Sequence, residues 1–95
     1  MSGQIAPSSV VVAASRQVFV EVDGEFIILN TDTGMYYGLE DVGAHLWRRL
    51  QQPTAVTDLC AAVQSDYDVE AARCQRDVAA LLAHMATEGL VEVRR

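Results

Sequence analysis

Val18-Phe19-Val20-Glu21-Val22, then Asp23-Gly24, then Glu25-Phe26-Ile27-Ile28-Leu29-Asn30 is the stretch that decides the fold. Both flanks are β-branched and aromatic, which suits a pleated surface. Asp-Gly accepts positive φ at both central positions, so it predicts a two-residue hairpin turn. Val18, Val20 and Val22 fall on one face of their strand. The turn-forming run Asn30-Thr31-Asp32-Thr33-Gly34 follows, and Met35-Tyr36-Tyr37-Gly38-Leu39 reads as a third strand. Met35, Tyr37 and Leu39 point one way, Tyr36 and Gly38 the other. A meander of three strands leaves the third at an edge, with unpaired N–H and C=O groups.

Downstream of Glu40 the apolar period changes from two to nearly four. Val42, Leu46 and Leu50, with Trp47 beside them, predict a first amphipathic helix, carrying Asp41 at its start and Arg48 and Arg49 near its end. Pro53 stops it. Thr54 is the expected cap of a second helix with Val56, Leu59, Cys60 and Val63 on one stripe. Asp66-Tyr67-Asp68 breaks that helix, and Asp68 is the expected cap of a third, over roughly 69–88. Its core stripe is Ala71, Cys74, Val78, Leu81, Leu82 and Met85, and Gly89 suits its C-terminal cap. Leu90-Val91-Glu92-Val93 reads as a short strand or an extended tail. Upstream, residues 1–15 read as an arm in which Ser8–Ala14 forms a short strand or simply continues the arm. Residues 16–95 then make one domain. The expected fold is α+β, winged helix-turn-helix-like, with a three-stranded antiparallel sheet followed by three helices.

Ninety-five residues allow one domain and a modest core. The net charge is −6, and all seven basic residues are arginine. That balance argues against nucleic acid, whose phosphates call for a basic surface, and against anionic membranes. Neither a secretory signal nor a run of transmembrane length is visible, which predicts a cytoplasmic location. Cys60 and Cys74 are expected reduced there.

Candidate chemistry is sparse. His45, Cys60, Cys74 and His84 lack the close ligand pairs of a zinc site. Cys74 and His84 stand about 15 Å apart along one helix, too far to share an ion. Both cysteines sit mid-helix on or near apolar stripes, where a thiol is inert. No glycine-rich phosphate loop is present, so no metal, cofactor or catalytic residue is expected. Beside the core stripe of the third helix run Arg73, Asp77, Ala80 and His84, spaced four, three and four. Arg73 and Asp77 can pair, and Ala79, Ala80 and Ala83 keep the relief low. The second and third helices also have the layout of a DNA-reading pair, so a winged-helix DNA-binding regulator is the alternative reading. Arg73 and Arg76 would then face phosphate, but among Glu70, Asp77 and Glu88.

The order and spacing of several short segments carry a further reading. Asp23–Asn30, Thr33–Glu40 and Gly43-Ala44-His45-Leu46-Trp47, followed by Val56–Leu59, Tyr67-Asp68-Val69, Asp77–Leu82 and Gly89-Leu90-Val91, resemble the PqqD-like family over roughly residues 16–93. The Thr33–Leu39 segment with Gly43–Trp47 is most similar to the free-standing subgroup of lasso-peptide biosynthesis. Glu40 departs from the family pattern, which often has Asn there. The resemblance implies a non-catalytic recognition element for the leader segment of a ribosomally made precursor peptide. The leader would add as a strand to the third strand and lie against the third helix. It implies leader contacts at Met35, Tyr36, Tyr37, Gly38 and Leu39 and at Arg73, Cys74, Arg76, Asp77, Ala80, Leu81 and His84. Tyr37 is the expected core residue of the tyrosine pair and Tyr36 the ligand-facing one. The implied partners are a transglutaminase-like cysteine protease, which removes the leader, and an asparagine-synthetase-like cyclase.

Overall fold

Asp23 and Gly24 hold φ of 54° and 83°, as a type I′ turn demands of both central residues. They join two six-residue strands, and the described residues form nine elements. In order these are β1 (Val10–Ala13), β2 (Gln17–Val22), β3 (Glu25–Asn30), β4 (Met35–Leu39), α1 (Asp41–Arg49), β5 (Thr54–Ala55), α2 (Val56–Asp66), α3 (Ala71–Thr87) and β6 (Val91–Arg94). The computed structural model describes residues 5–15 and 17–94. Among these residues the architecture is α+β, with three helices and two three-stranded antiparallel sheets.

The first sheet is the expected meander, in the order β2-β3-β4. Its register pairs Phe19 with Ile28 and Ile28 with Tyr37, so Phe19, Phe26, Ile28, Tyr37 and Leu39 share the inner face. Helix α1 lies on that face. Trp47, fully buried, meets Phe19 edge-on at 5.5 Å, and Phe19 meets Phe26 at 5.6 Å. Arg48 covers the Phe26 ring and reaches Glu21 at 2.7 Å. The outer face is apolar as well: Val18, Val20, Val22, Ile27 and Tyr36 are all exposed.

The second sheet, in the order β5-β1-β6, comes from segments far apart in the chain. Val10 pairs with both Ala55 and Arg94. The strand ahead of the hairpin is thus built into this sheet and does not lie along β4. Its insertion also explains how α2 begins. Thr54 is not the cap: the N-cap is Ala55, with no side-chain bond. Instead the N–H groups of Val56 and Thr57 donate to the backbone carbonyls of Ser9 and Pro7. The Thr54 hydroxyl turns the other way and donates to the carbonyls of Arg49 and Gln52.

Helix α3 starts two residues later than its pattern predicts. Glu70, not Asp68, is its N-cap, extended at φ −65° and ψ 142°. Val69 is half-buried against the core, and that packing keeps the chain extended past Asp68. Ala71 consequently opens the helix as an exposed residue, while Cys74, Val78, Leu82 and Met85 are buried. At the other end Gly89 takes φ 77°, and a Cβ there would stand 3.1 Å from Asn30 Nδ2. That close approach lets Asn30 donate to the Glu88 carbonyl and Gln17 to the Gly89 carbonyl. The C-terminal end of α3 is thereby fastened to the hairpin sheet.

Candidate functional site

β4 pairs with β3 on one side only, and among the described residues no strand lies along its other edge. Along it, Met35, Tyr36 and Gly38 are exposed, Tyr36 at 70%. Tyr37 and Leu39 are half-buried and pack on the core. The Tyr37 hydroxyl donates to Glu88 Oε1 at 2.7 Å. That bond, then burial, then the negative charge of Glu88 raise the phenol above its ordinary 10.0.

Past the end of β4 the chain turns through Asp41, at φ 52°, into α1. Val42, in the first turn of α1, is one wall of an open apolar cleft of about 240 Å³. Val63 of α2 contributes, as do Tyr67 and Val69 of the link that follows. Helix α3 supplies Cys74, Asp77, Val78 and Leu81. Asp77 and Leu81 are one turn apart, so the same helix face continues toward Arg73, Ala80 and His84.

The twelve residues implicated from sequence therefore divide. The cleft gathers Cys74, Asp77 and Leu81. Arg73 extends it through an exposed ion pair with Asp77 at 3.6 Å, a weak attachment. Ala80 and His84 are exposed along the same helix stripe, whereas Arg76 is turned about 100° from Asp77 around the axis. Met35 to Leu39 supply the open strand edge and do not line the cleft. Val42, Val63, Tyr67, Val69 and Val78 do line it and were not in the expected set. Val63 and Val78 read as core and are buried there, and Val42 and Val69 pack against that core, so their spacing alone does not show that they also line a cleft. Tyr67 had a signal of its own, an aromatic ring inside an acidic chain break.

Tyr67 is braced. Its ring meets His45 edge-on at 6.1 Å and 82°. His45 Nδ1 lies 3.4 Å from Asp66 Oδ2, and Arg49 Nε donates to His45 Nε2 at 3.4 Å.

Cys74 lines the cleft, and Cys60 lies next to it in the core. Cys60 and Cys74 are both free and buried, and Cys74 Sγ donates to the Cys60 carbonyl at 3.7 Å. Burial, then the neighbouring Cys74 thiol, pushes Cys60 above its ordinary 9.0, which keeps it protonated and unreactive near neutral pH. Among the described residues, no three His, Cys, Asp or Glu side chains gather as a metal ion needs. Nor is any helix there long and apolar enough to cross a membrane.

What the arrangement offers is a strand edge with an apolar cleft beside it. The family model of coenzyme PQQ synthesis protein D (PqqD) matches residues 25–91, a span that includes both. The chain belongs to the PqqD family. Two solved structures share this PqqD fold. One is TbiB1 in complex with the TbiA(beta) leader peptide: 27% identity, TM-score 0.81, covering 85% of this chain and 94% of that one. The other is lasso peptide synthetase B1 complexed with the leader peptide: 24% identity, TM-score 0.76, covering 86% and 96%. No curated protein matches this PqqD-family chain.

Proposed function

We propose that this protein binds the leader segment of a ribosomally made precursor peptide in lasso-peptide biosynthesis. It would present that leader to a separate transglutaminase-like cysteine protease, with an asparagine-synthetase-like cyclase acting afterwards. The observation that carries the reading is the open edge of β4 beside an apolar cleft walled by α3. The fold gives it support, since TbiB1 is held with a leader peptide. The leader adds as a strand to Met35–Leu39, with Tyr36 and Gly38 on the open face and Arg73, Asp77, Ala80, Leu81 and His84 alongside.

The energetics favour such a division of labour. Ordering a flexible peptide costs about 2–5 kcal/mol. Backbone hydrogen bonds return about 0.5–1.5 kcal/mol each, so a short ladder roughly offsets that cost and reads no sequence. A large apolar side chain entering the cleft adds about 1.5–3 kcal/mol. Net affinity and choice of leader therefore come from the cleft. Asp77 is its one carboxylate, placed to accept from a donor on the peptide.

The protein itself performs no bond chemistry in this reading. Its thiols are buried, and leader removal belongs to the protease. The test is fluorescence polarisation with the labelled leader half of a lasso-peptide precursor. Saturable binding, lost with the core half of the precursor, is expected. Equal binding of both halves would overturn the reading. A DNA-binding regulator finds no support on α3, where Arg73 is paired with Asp77.

A further inference from the structure

The cleft is walled almost entirely by short side chains fixed on helices: Val42, Val63, Val78 and Leu81 cannot swing far. Tyr67 is different. It is the C-cap of α2, in extended conformation at φ −129° and ψ 140°, with its N–H donating to the Val63 carbonyl. The backbone is therefore fixed, while the ring is 37% exposed and stands at the cleft wall. Among the described residues, its ring contact is with His45. The ring is held by His45, and His45 is held in turn by Asp66 and Arg49. A volume of about 240 Å³ falls below the roughly 300–1,000 Å³ of small-molecule sites. It suits a side chain of a docked peptide better than a cofactor.

We infer that Tyr67 is a specificity-determining residue: its ring bounds the cleft and limits the size of the apolar peptide side chain admitted, and His45 is the positioning residue that holds the ring. The inference rests on the peptide-binding reading above. The occupant is a bulky aliphatic side chain projecting from an extended peptide paired with β4. The lining is apolar apart from the Asp77 carboxylate and the Tyr67 hydroxyl, and the open strand edge ends three residues before Val42. Removing the ring should lengthen the cleft toward His45, and enlarging it should shorten the cleft.

A phage-displayed library of random peptides, panned against the full chain, tests this without knowledge of the natural leader. Only clones that bind the wild type and are lost on Asp77→Arg, which lays a long side chain across the cleft, are counted. The readout is the ratio of Phe and Trp to Leu and Val at the enriched apolar position. Tyr67→Ala should raise that ratio about ten-fold or more, since one methylene in an apolar pocket is worth about 10–200-fold. Tyr67→Trp should lower it. His45→Ala, which leaves every lining residue in place, should raise it by less than Tyr67→Ala, and His45→Phe, which restores a ring against Tyr67, should bring it back. Circular dichroism reports folding. Should Tyr67→Ala unfold, the Tyr67→Trp and His45 variants still decide. An unchanged ratio across folded Tyr67 variants overturns the size limit and leaves peptide binding standing. The absence of any Asp77-dependent clone from the wild type overturns both.

Discussion

The Tyr37 hydroxyl donates to Glu88 across 51 residues of chain and ties the edge strand to the C-terminal end of α3. β4 is therefore held at the helix by a side chain, while its outer main-chain edge stays open. Asn30 reinforces the same corner by donating to the Glu88 carbonyl.

Tyr37→Phe should lower the melting temperature at neutral pH. The phenol is raised above 10.0 in the folded state, so the protein binds the proton more tightly than the unfolded chain does. The stabilisation is then fully present below the unfolded pKa of about 10 and is lost as pH rises through the folded value. Thermal melts at about pH 8 should separate the two proteins, and melts above the folded pKa should bring them together. A gap that persists at high pH would show that packing of the ring, not its hydroxyl, holds the corner.

Amide hydrogen exchange should detect strand addition directly. In an antiparallel ladder, alternate residues of an edge strand direct their N–H groups outward. Saturating leader should therefore slow exchange at alternate amides between Met35 and Leu39. β2, at the opposite edge of the same sheet, should be unchanged. Protection confined to β2 would place the peptide on the wrong edge.

On the helix side, Ala80→Trp should fill the groove and abolish leader binding without unfolding α3, because Ala80 is exposed. Asp77→Ala should weaken binding by about 1–3 kcal/mol, the range of a charge-assisted bond. Polarisation titrations with dichroism controls check both. Wild-type affinity in the two variants together would remove the peptide from this helix face.

Cys74 is 1% exposed and Cys60 7%, so their replacement is a matter of packing. Cys74→Ala and Cys60→Ala should each cost about 1–2 kcal/mol by urea unfolding and leave leader affinity within a few-fold. The native thiols should react with a maleimide far more slowly than after unfolding. Complete loss of binding in a folded Cys60→Ala protein would assign Cys60 a role beyond the core.

Incubated alone with precursor peptide, the purified protein should leave the precursor mass unchanged. Addition of the partner protease should release the leader. Cleavage by this chain without that partner would overturn its non-catalytic role.

The sequence by itself determined whatever depends on neighbours in the chain. Asp23-Gly24 fixed the hairpin because two positive φ values are needed there and those residues tolerate them. Val56, Leu59, Cys60 and Val63 fixed the buried face of α2 through their spacing, and Gly89 ended α3 because the left-handed φ of 77° there favours glycine. Only the tertiary structure decided the rest. The β5-β1-β6 sheet joins residues 10–13 to 54–55 and 91–94, and no local period encodes a pairing across that separation. That pairing also moved helix capping from Thr54 to the carbonyls of Ser9 and Pro7. The cleft was hidden for the same reason: α1, α2, the link after it and α3 each supply part of its lining. Val63 and Val78 belong to the buried core and to the cleft lining at once, and nothing local along the chain marks a core valine that a cleft also reaches, because other segments form the rest of that cleft.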